Sequence, residues 1–200
     1  MRRLLLATTN PGKLREFRRL LDGCGFELVS PTDVNVSVDV EEHGETYAEN
    51  AATKARAYAD AAGMPALADD SGIEVDALGG RPGVRSARYG GKGLDDEGRT
   101  ALLLREMADV GGEERTARYQ AVVAVVFPEL DASEAALFSG TQEGRIAREP
   151  RGTGGFGYDP VFVVDDGRTQ AELSDAEKDA ISHRGQAMRA AAAWLRERSA

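Results

Sequence analysis

Thr116-Ala117-Arg118-Tyr119-Gln120-Ala121-Val122-Val123-Ala124-Val125-Val126-Phe127 is the stretch that decides the fold. Its last seven residues are all apolar, and four of them are valine. That is the composition of a central strand covered on both faces, and it needs helices to cover it. Upstream, Asp95 to Met107 reads as a helix, after a loop from Gly79 to Gly93. Downstream, Ala135 to Ser139 and Gln142 to Ala147 suggest a strand pair, and Val161 to Val164 another strand. Two helices follow, one capped by Ser174 with Glu177 and one from Arg184 to about Arg198.

The N-terminal third repeats the alternation of strand and helix. Arg3 to Ala7 reads as a buried strand, and Pro11 to Leu21 as a helix that sets Leu14, Phe17, Leu20 and Leu21 on one face, with Asn10 as its cap and Pro11 at its first position. Val34, Val36, Val38 and Val40 alternate with Asn35, Ser37 and Asp39, the period of a half-buried strand. Thr46 and Glu49 form a capping box that opens a helix running to Ala62. Ala66 to Asp69 and Ile73 to Asp76 look like short strands on either side of a turn at Asp70-Ser71-Gly72. Interleaved helices and strands define an α/β protein with a mixed sheet.

Composition narrows the functions. Two hundred residues suit one large domain, residues 1–200, or two tightly joined lobes. The only cysteine is Cys24, so no intramolecular disulfide forms, and a cytoplasmic location is the expectation. Leu4 to Ala7 faintly resembles a signal peptide but ends at once in Thr8-Thr9-Asn10-Pro11, and no apolar stretch approaches the ~20 residues of a membrane span. The net charge of -9 repels a nucleic-acid backbone, whereas a single nucleotide needs only a few local cations and a metal ion.

Four segments can carry chemistry, and each has a plainer reading. Thr8-Thr9-Asn10-Pro11-Gly12-Lys13 joins a strand to a helix N-terminus: a cradle for phosphate, or a capped turn with an exposed lysine. It is no Walker A loop, because the Gly-x-x-x-x-Gly-Lys spacing is absent. Glu41, Glu42, Glu45, Glu49, Asp69 and Asp70 are the acidic set. Glu45 and Glu49 suit a helix first turn, while Asp70, in a charged pair abutting the apolar Ala66-Leu67-Ala68, suggests a hard cation, magnesium rather than zinc given two histidines and one cysteine.

Gly152 to Pro160 contains Gly-x-Gly-x-x-Gly but leads into a strand, which excludes the dinucleotide reading. Its aromatics suit stacking on a planar base; otherwise it is an array of tight turns. Lys178 and Ser182-His183-Arg184 offer donors to phosphate or a carbonyl, or form a helix-helix linker with exposed charge.

Taken in order, Thr9-Asn10 with Lys13, Glu41-Glu42 with Gly44, Thr46, Glu49-Asn50-Ala51, Ala68-Asp69-Asp70-Ser71-Gly72, Ser86-Ala87-Arg88-Tyr89, Gly154 to Pro160 and Ser182-His183-Arg184 resemble the inosine triphosphate pyrophosphatase family over nearly the whole chain. The departures are mild: Tyr47 stands where phenylalanine is common, and Thr9 fills a variable small position. The resemblance implies an elongated mixed sheet flanked by helices, with two lobes around a central nucleotide-binding cleft, and a homodimer.

It implies hydrolysis of non-standard purine triphosphates such as inosine, deoxyinosine and xanthosine triphosphate to monophosphate and pyrophosphate. By similarity, Thr8, Thr9, Asn10, Pro11, Gly12, Lys13 and Lys178 hold the triphosphate. Glu41 and Asp70 hold magnesium, Asp70 is the candidate base, and Ser71, Phe156, Gly157, Tyr158, Asp159, His183 and Arg184 contact the nucleoside. The rivals are a phosphatase releasing orthophosphate, a related-fold enzyme of pyrimidine nucleotides, and a nucleotide-binding module without turnover.

Overall fold

In the computed structural model, which describes residues 2–40, 43–91, 93–129 and 135–199, eleven strands and helices alternate. They are β1 (Arg3–Leu6), α1 (Pro11–Leu20), β2 (Glu27–Val29), α2 (Tyr47–Ala62), β3 (Ala66–Val75), α3 (Asp96–Glu106), β4 (Thr116–Val126), β5 (Ala136–Ile146), β6 (Phe162–Val163), α4 (Asp175–Ile181) and α5 (His183–Arg196). One sheet runs in the order β2-β1-β3-β4-β5-β6. It is mixed: β1 pairs in parallel with β2 and β3, and β5 pairs antiparallel with β6. The expected α/β architecture therefore stands, with β4 in the interior of the sheet.

Contacts divide the chain into two compact units. The first holds Met1–Asp70, Ala121–Gly140 and Arg184–Ala200, and the second Ser71–Gln120 and Thr141–His183. In the first unit, period-two alternation splits the apolar residues between two faces. Leu4, Leu6, Leu67, Val123 and Val125 meet Phe17 and Leu21 at α1 and Ala187, Met188, Ala191 and Leu195 of α5. Leu5, Ala7, Ala66, Ala68, Ala124 and Val126 meet Ala51, Ala55, Tyr58 and Ala59 of α2, whose small side chains let the helix lie close. The second unit has its own core, built on Ile73, Leu103, Met107, Tyr119, Ile146, Val161 and Phe162.

Local signals place the caps as expected. Asn10 Oδ1 accepts from the Gly12 and Lys13 amides, with Pro11 opening α1. Thr46 and Glu49 close a full capping box on α2, as do Ser174 and Glu177 on α4.

Three expectations fail. Val34 to Val40 is no strand: Thr32–Val34 forms a 3-10 turn, and Asn35 at φ 54 turns the backbone left-handed. The four valines still pack, half-buried, on the α2 face of the core, so the alternation marks an extended segment without a ladder. Asp70-Ser71-Gly72 is no turn, because β3 runs unbroken from Ala66 to Val75. Lys13 and Arg184 pair with Asp69 and Asn50 donates to Asp70, so the strand carries both aspartates through. The expected strand pair at 135–147 is likewise one strand, passing through Gly140. The loop from Gly79 to Gly93 contains a 3-10 helix at Gly83–Arg88.

Candidate active site

In the first unit β1 ends where β3 continues. Their pairing reaches Leu6 and Leu67, and the Ala7 amide donates to the Leu67 carbonyl. Beyond that point β3 presents Asp69 and Asp70, which alternation sends to opposite faces. Asp69 points to the α1 and α5 side. Its Oδ1 takes the Lys13 ammonium at 2.8 Å and its Oδ2 the Arg184 Nε at 3.1 Å. Arg184 Nη1 reaches Glu16 Oε2 at 2.7 Å, and Lys54 Nζ donates to the Asp69 carbonyl at 3.4 Å. Two cations thus meet two carboxylates, with Lys54 on the neighbouring carbonyl; Glu16, Asp69 and Arg184 are buried, and Lys13 and Lys54 half-buried.

Burial alone would raise the Asp69 pKa; Lys13, Arg184 and Lys54 together outweigh it and hold the carboxyl well below its ordinary range. For Lys13, burial is the largest influence and lowers the ammonium pKa, Asp69 opposes it, and Arg184 and Lys54 lower it further. Burial pulls Arg184 down, yet Asp69 and Glu16 leave it raised. Lys13 keeps 18% of its side-chain surface exposed against 4% for Arg184, so of the two cations on Asp69 it is the one that faces water.

Asp70 points to the α2 side. The Asn50 Nδ2 donates to its Oδ2 at 2.9 Å, and both side chains are buried. The opening loop behaves differently from an open cradle of amides. Asn10 occupies the Gly12 and Lys13 amides, Pro11 has none, and Thr8 Oγ1 accepts from the Asn10 amide. Thr9, Asn10 and Pro11 are exposed and Thr8 and Lys13 half-buried, so the donors it leaves at the surface include the two threonine hydroxyls and the lysine.

Glu41 and Glu42 lie outside the described residues. Glu49 accepts from the Glu45 and Thr46 amides, the first-turn role expected of it. Among the described residues no three His, Cys, Asp or Glu side chains gather as a metal cluster.

In the second unit Asp159 is the hub. Its Oδ2 takes the Lys178 ammonium at 2.6 Å and the Phe156 amide at 2.9 Å, and Tyr119 Oη donates to its Oδ1 at 3.3 Å. Lys178 also lies 5.1 Å from the Phe156 ring centre. Tyr119 stacks on His183 at 4.5 Å and 10°. Gly155 sits at φ +73, and a Cβ there would come within 2.0 Å of Asp159 Oδ2, so only glycine lets the loop close on its aspartate.

Tyr158 turns inward and donates to the Ser86 carbonyl at 2.9 Å, and burial pushes its phenol pKa up. Phe156 is therefore the aromatic of this loop that stays half-buried, with the half-buried Gly157 beside it and Ser71 half-buried on β3. The linker with exposed charge is overturned: Lys178, Ser182, His183 and Arg184 are all buried. Charges this deep persist only when paired, and here Asp159, Asp69 and Glu16 pair them.

Sequence reasoning missed Glu16, Lys54 and Tyr119, and gave Asn50 and Asp69 no role beyond their motifs and an acidic pair. Glu16 carried a signal, three residues after Lys13 on one helix face. The partners of the others come from remote segments, which leave no local trace.

Fold and site together define an α/β protein with buried, ion-paired charge gathered where a parallel strand ends. More particularly, the chain belongs to the Ham1 family, whose model matches residues 4–194. A dITP/XTP pyrophosphatase of Symbiobacterium thermophilum is 56% identical over 187 residues, covering 94% of this chain and 91% of that relative. One of Bacillus subtilis is 44% identical, covering 94% of each chain. The solved structure of a HAM1 protein from Coxiella burnetii superposes with a TM-score of 0.88 at 42% identity, covering 98% of this chain and all of that one.

Proposed function

We propose that this chain is a magnesium-dependent pyrophosphatase that converts inosine, deoxyinosine and xanthosine triphosphates to their monophosphates and pyrophosphate, and so cleanses the nucleotide pool. The observation that carries the reading lies on β3 beyond the end of β1, where Asp69 meets Lys13 of α1 on one face and the next residue, Asp70, meets Asn50 of α2 on the other. The printed activity of the two relatives, dITP/XTP pyrophosphatase, supports the substrate class. Among the described residues no helix is long and apolar enough to cross a membrane, and the net charge disfavours nucleic acid. We place the protein as a cytoplasmic homodimer acting on free nucleotides.

The donor set suits a hard cation. Asp70 offers carboxylate oxygen, whereas Cys24 is buried in the apolar core and His183 lies against Tyr119. Asp70, with Glu41, would hold magnesium, which when bound neutralises charge on the phosphate oxygens. Lys13 leaves Asp69 for a phosphate oxygen, and Arg184 stays behind to keep Asp69 neutralised. Thr8 and Thr9 add hydroxyl donors. Asp70 orients the water that attacks the α-phosphorus.

In the second unit the Phe156 face stacks on the base, and donors from the loop amides and His183 meet a 6-oxo group. Adenine presents an amino group there and leaves those donors without acceptors, a penalty of roughly 1–3 kcal/mol each.

A panel of triphosphates incubated with and without magnesium, with products resolved by chromatography, tests all of this. Pyrophosphate from inosine triphosphate in magnesium is the expected result. Orthophosphate, equal rates on adenosine triphosphate, or full activity of Asp70→Asn would each overturn it; that variant should lose about 10²–10⁴ in kcat with substrate binding kept.

A further inference from the structure

We infer that Asn50 is a positioning residue for Asp70, its carboxamide fixing the direction of that carboxylate from the first turn of α2. The inference rests on the reading of Asp70 as the group that meets the attacking water.

Asn50 is 1% exposed, and its amide is fully used. Oδ1 accepts from the Gly44 amide at 2.8 Å, and Nδ2 donates to Asp70 Oδ2 at 2.9 Å, with a long contact to the Gly44 carbonyl at 3.5 Å. One side chain therefore ties the loop before α2 to β3. Only an amide offers an acceptor on one side and a donor on the other at this length.

The capping box sets the place of Asn50. Thr46 and Glu49 start the helix immediately before it, and the Glu49 carboxylate holds the Glu45 and Thr46 amides. Gly44 completes the fit: a Cβ there would stand 2.6 Å from Asn50 Oδ1 and 2.9 Å from Glu49 Cβ.

The contrast with the neighbouring Asp69 gives the arrangement its meaning. Asp69 is held by Lys13 and Arg184, which orient it and cancel its charge. Asn50 donates to Asp70 from a neutral amide, so this hydrogen bond sets a direction without itself cancelling charge. A group meant to direct water or grip a cation needs both a fixed direction and a full charge.

The test compares Asn50→Ala, Asn50→Asp and Gly44→Ala with the parent, measuring kcat and KM on inosine triphosphate in magnesium, with folding followed by near-ultraviolet circular dichroism. Asn50→Asp preserves volume and an acceptor for Gly44 but sets a second carboxylate against Asp70. The expected kcat is about tenfold lower in Asn50→Ala and in Gly44→Ala and about a hundredfold lower in Asn50→Asp, with KM within about threefold. A purely structural role lowers kcat only in variants whose near-ultraviolet spectrum departs from the parent's, whereas a positioning role lowers it in variants that keep the parental spectrum.

A second readout needs no turnover: the Asn50 side-chain amide resonance, identified by its loss in Asn50→Ala, should shift in Asp70→Asn. Parental kcat in any folded variant, a loss confined to KM, or an unmoved amide resonance overturns the inference. Should the Asn50 variants fail to fold, Gly44→Ala decides it. Full activity of Asp70→Asn instead removes the reading on which the inference stands, and the inference with it.

Discussion

The two units each bury a lysine against an aspartate, and they do so differently. In the first, Lys13 shares Asp69 with Arg184 and keeps part of its side chain in water. In the second, Lys178 and Asp159 are both 5% exposed, and the Tyr119 hydroxyl and the Phe156 amide also donate to the aspartate. Removing a cation from a shared aspartate leaves it still paired; removing Lys178 takes a close cationic partner from a carboxylate that is itself buried. The first arrangement suits a lysine that changes partners, and the second a lysine that holds a loop in place.

The largest expected effect breaks the second pair. Lys178→Met should lower the unfolding free energy by about 3–5 kcal/mol, read by urea denaturation, because Asp159 is left buried without its cation. Lys13→Met should cost only about 1.5 kcal/mol in the same assay, since Arg184 stays on Asp69, while turnover falls steeply. Equal losses of stability would erase the distinction.

Acid sharpens the comparison further. Asp69 has its folded pKa held below the unfolded value of about 3.9, so its contribution is complete above that pH and fades as the pH falls toward the lowered folded value. Melting temperature between pH 5 and pH 2.5 should therefore fall less steeply in Asp69→Asn than in the parent. The smallest effect is that of Tyr119→Phe, which removes one hydroxyl from Asp159 and keeps the ring on His183. About 1 kcal/mol of stability should be lost, measured by thermal unfolding.

Helix starts were legible because capping is local: Asn10, Thr46 and Ser174 each meet amides two or three residues ahead. The failures were of another kind. Valines 34 to 40 show strand alternation because they lie half-buried along the core, and periodicity reports burial, whereas a ladder needs a neighbouring strand. The turn read at Asp70-Ser71-Gly72 failed because charge in a strand is judged unfavourable until its partners are known.

By itself, the order of short motifs from Thr9 to Arg184 determined which family this chain resembles and where its chemistry lies, since each motif is a local pattern of side-chain types. Only the tertiary structure decided what those side chains do to one another. Asp69 meets Lys13 from 56 residues away and Arg184 from 115, and Arg184 reaches Glu16 across 168. The energy of a buried charge depends on what the fold brings within a few ångströms of it, and that distance is unrelated to separation along the chain.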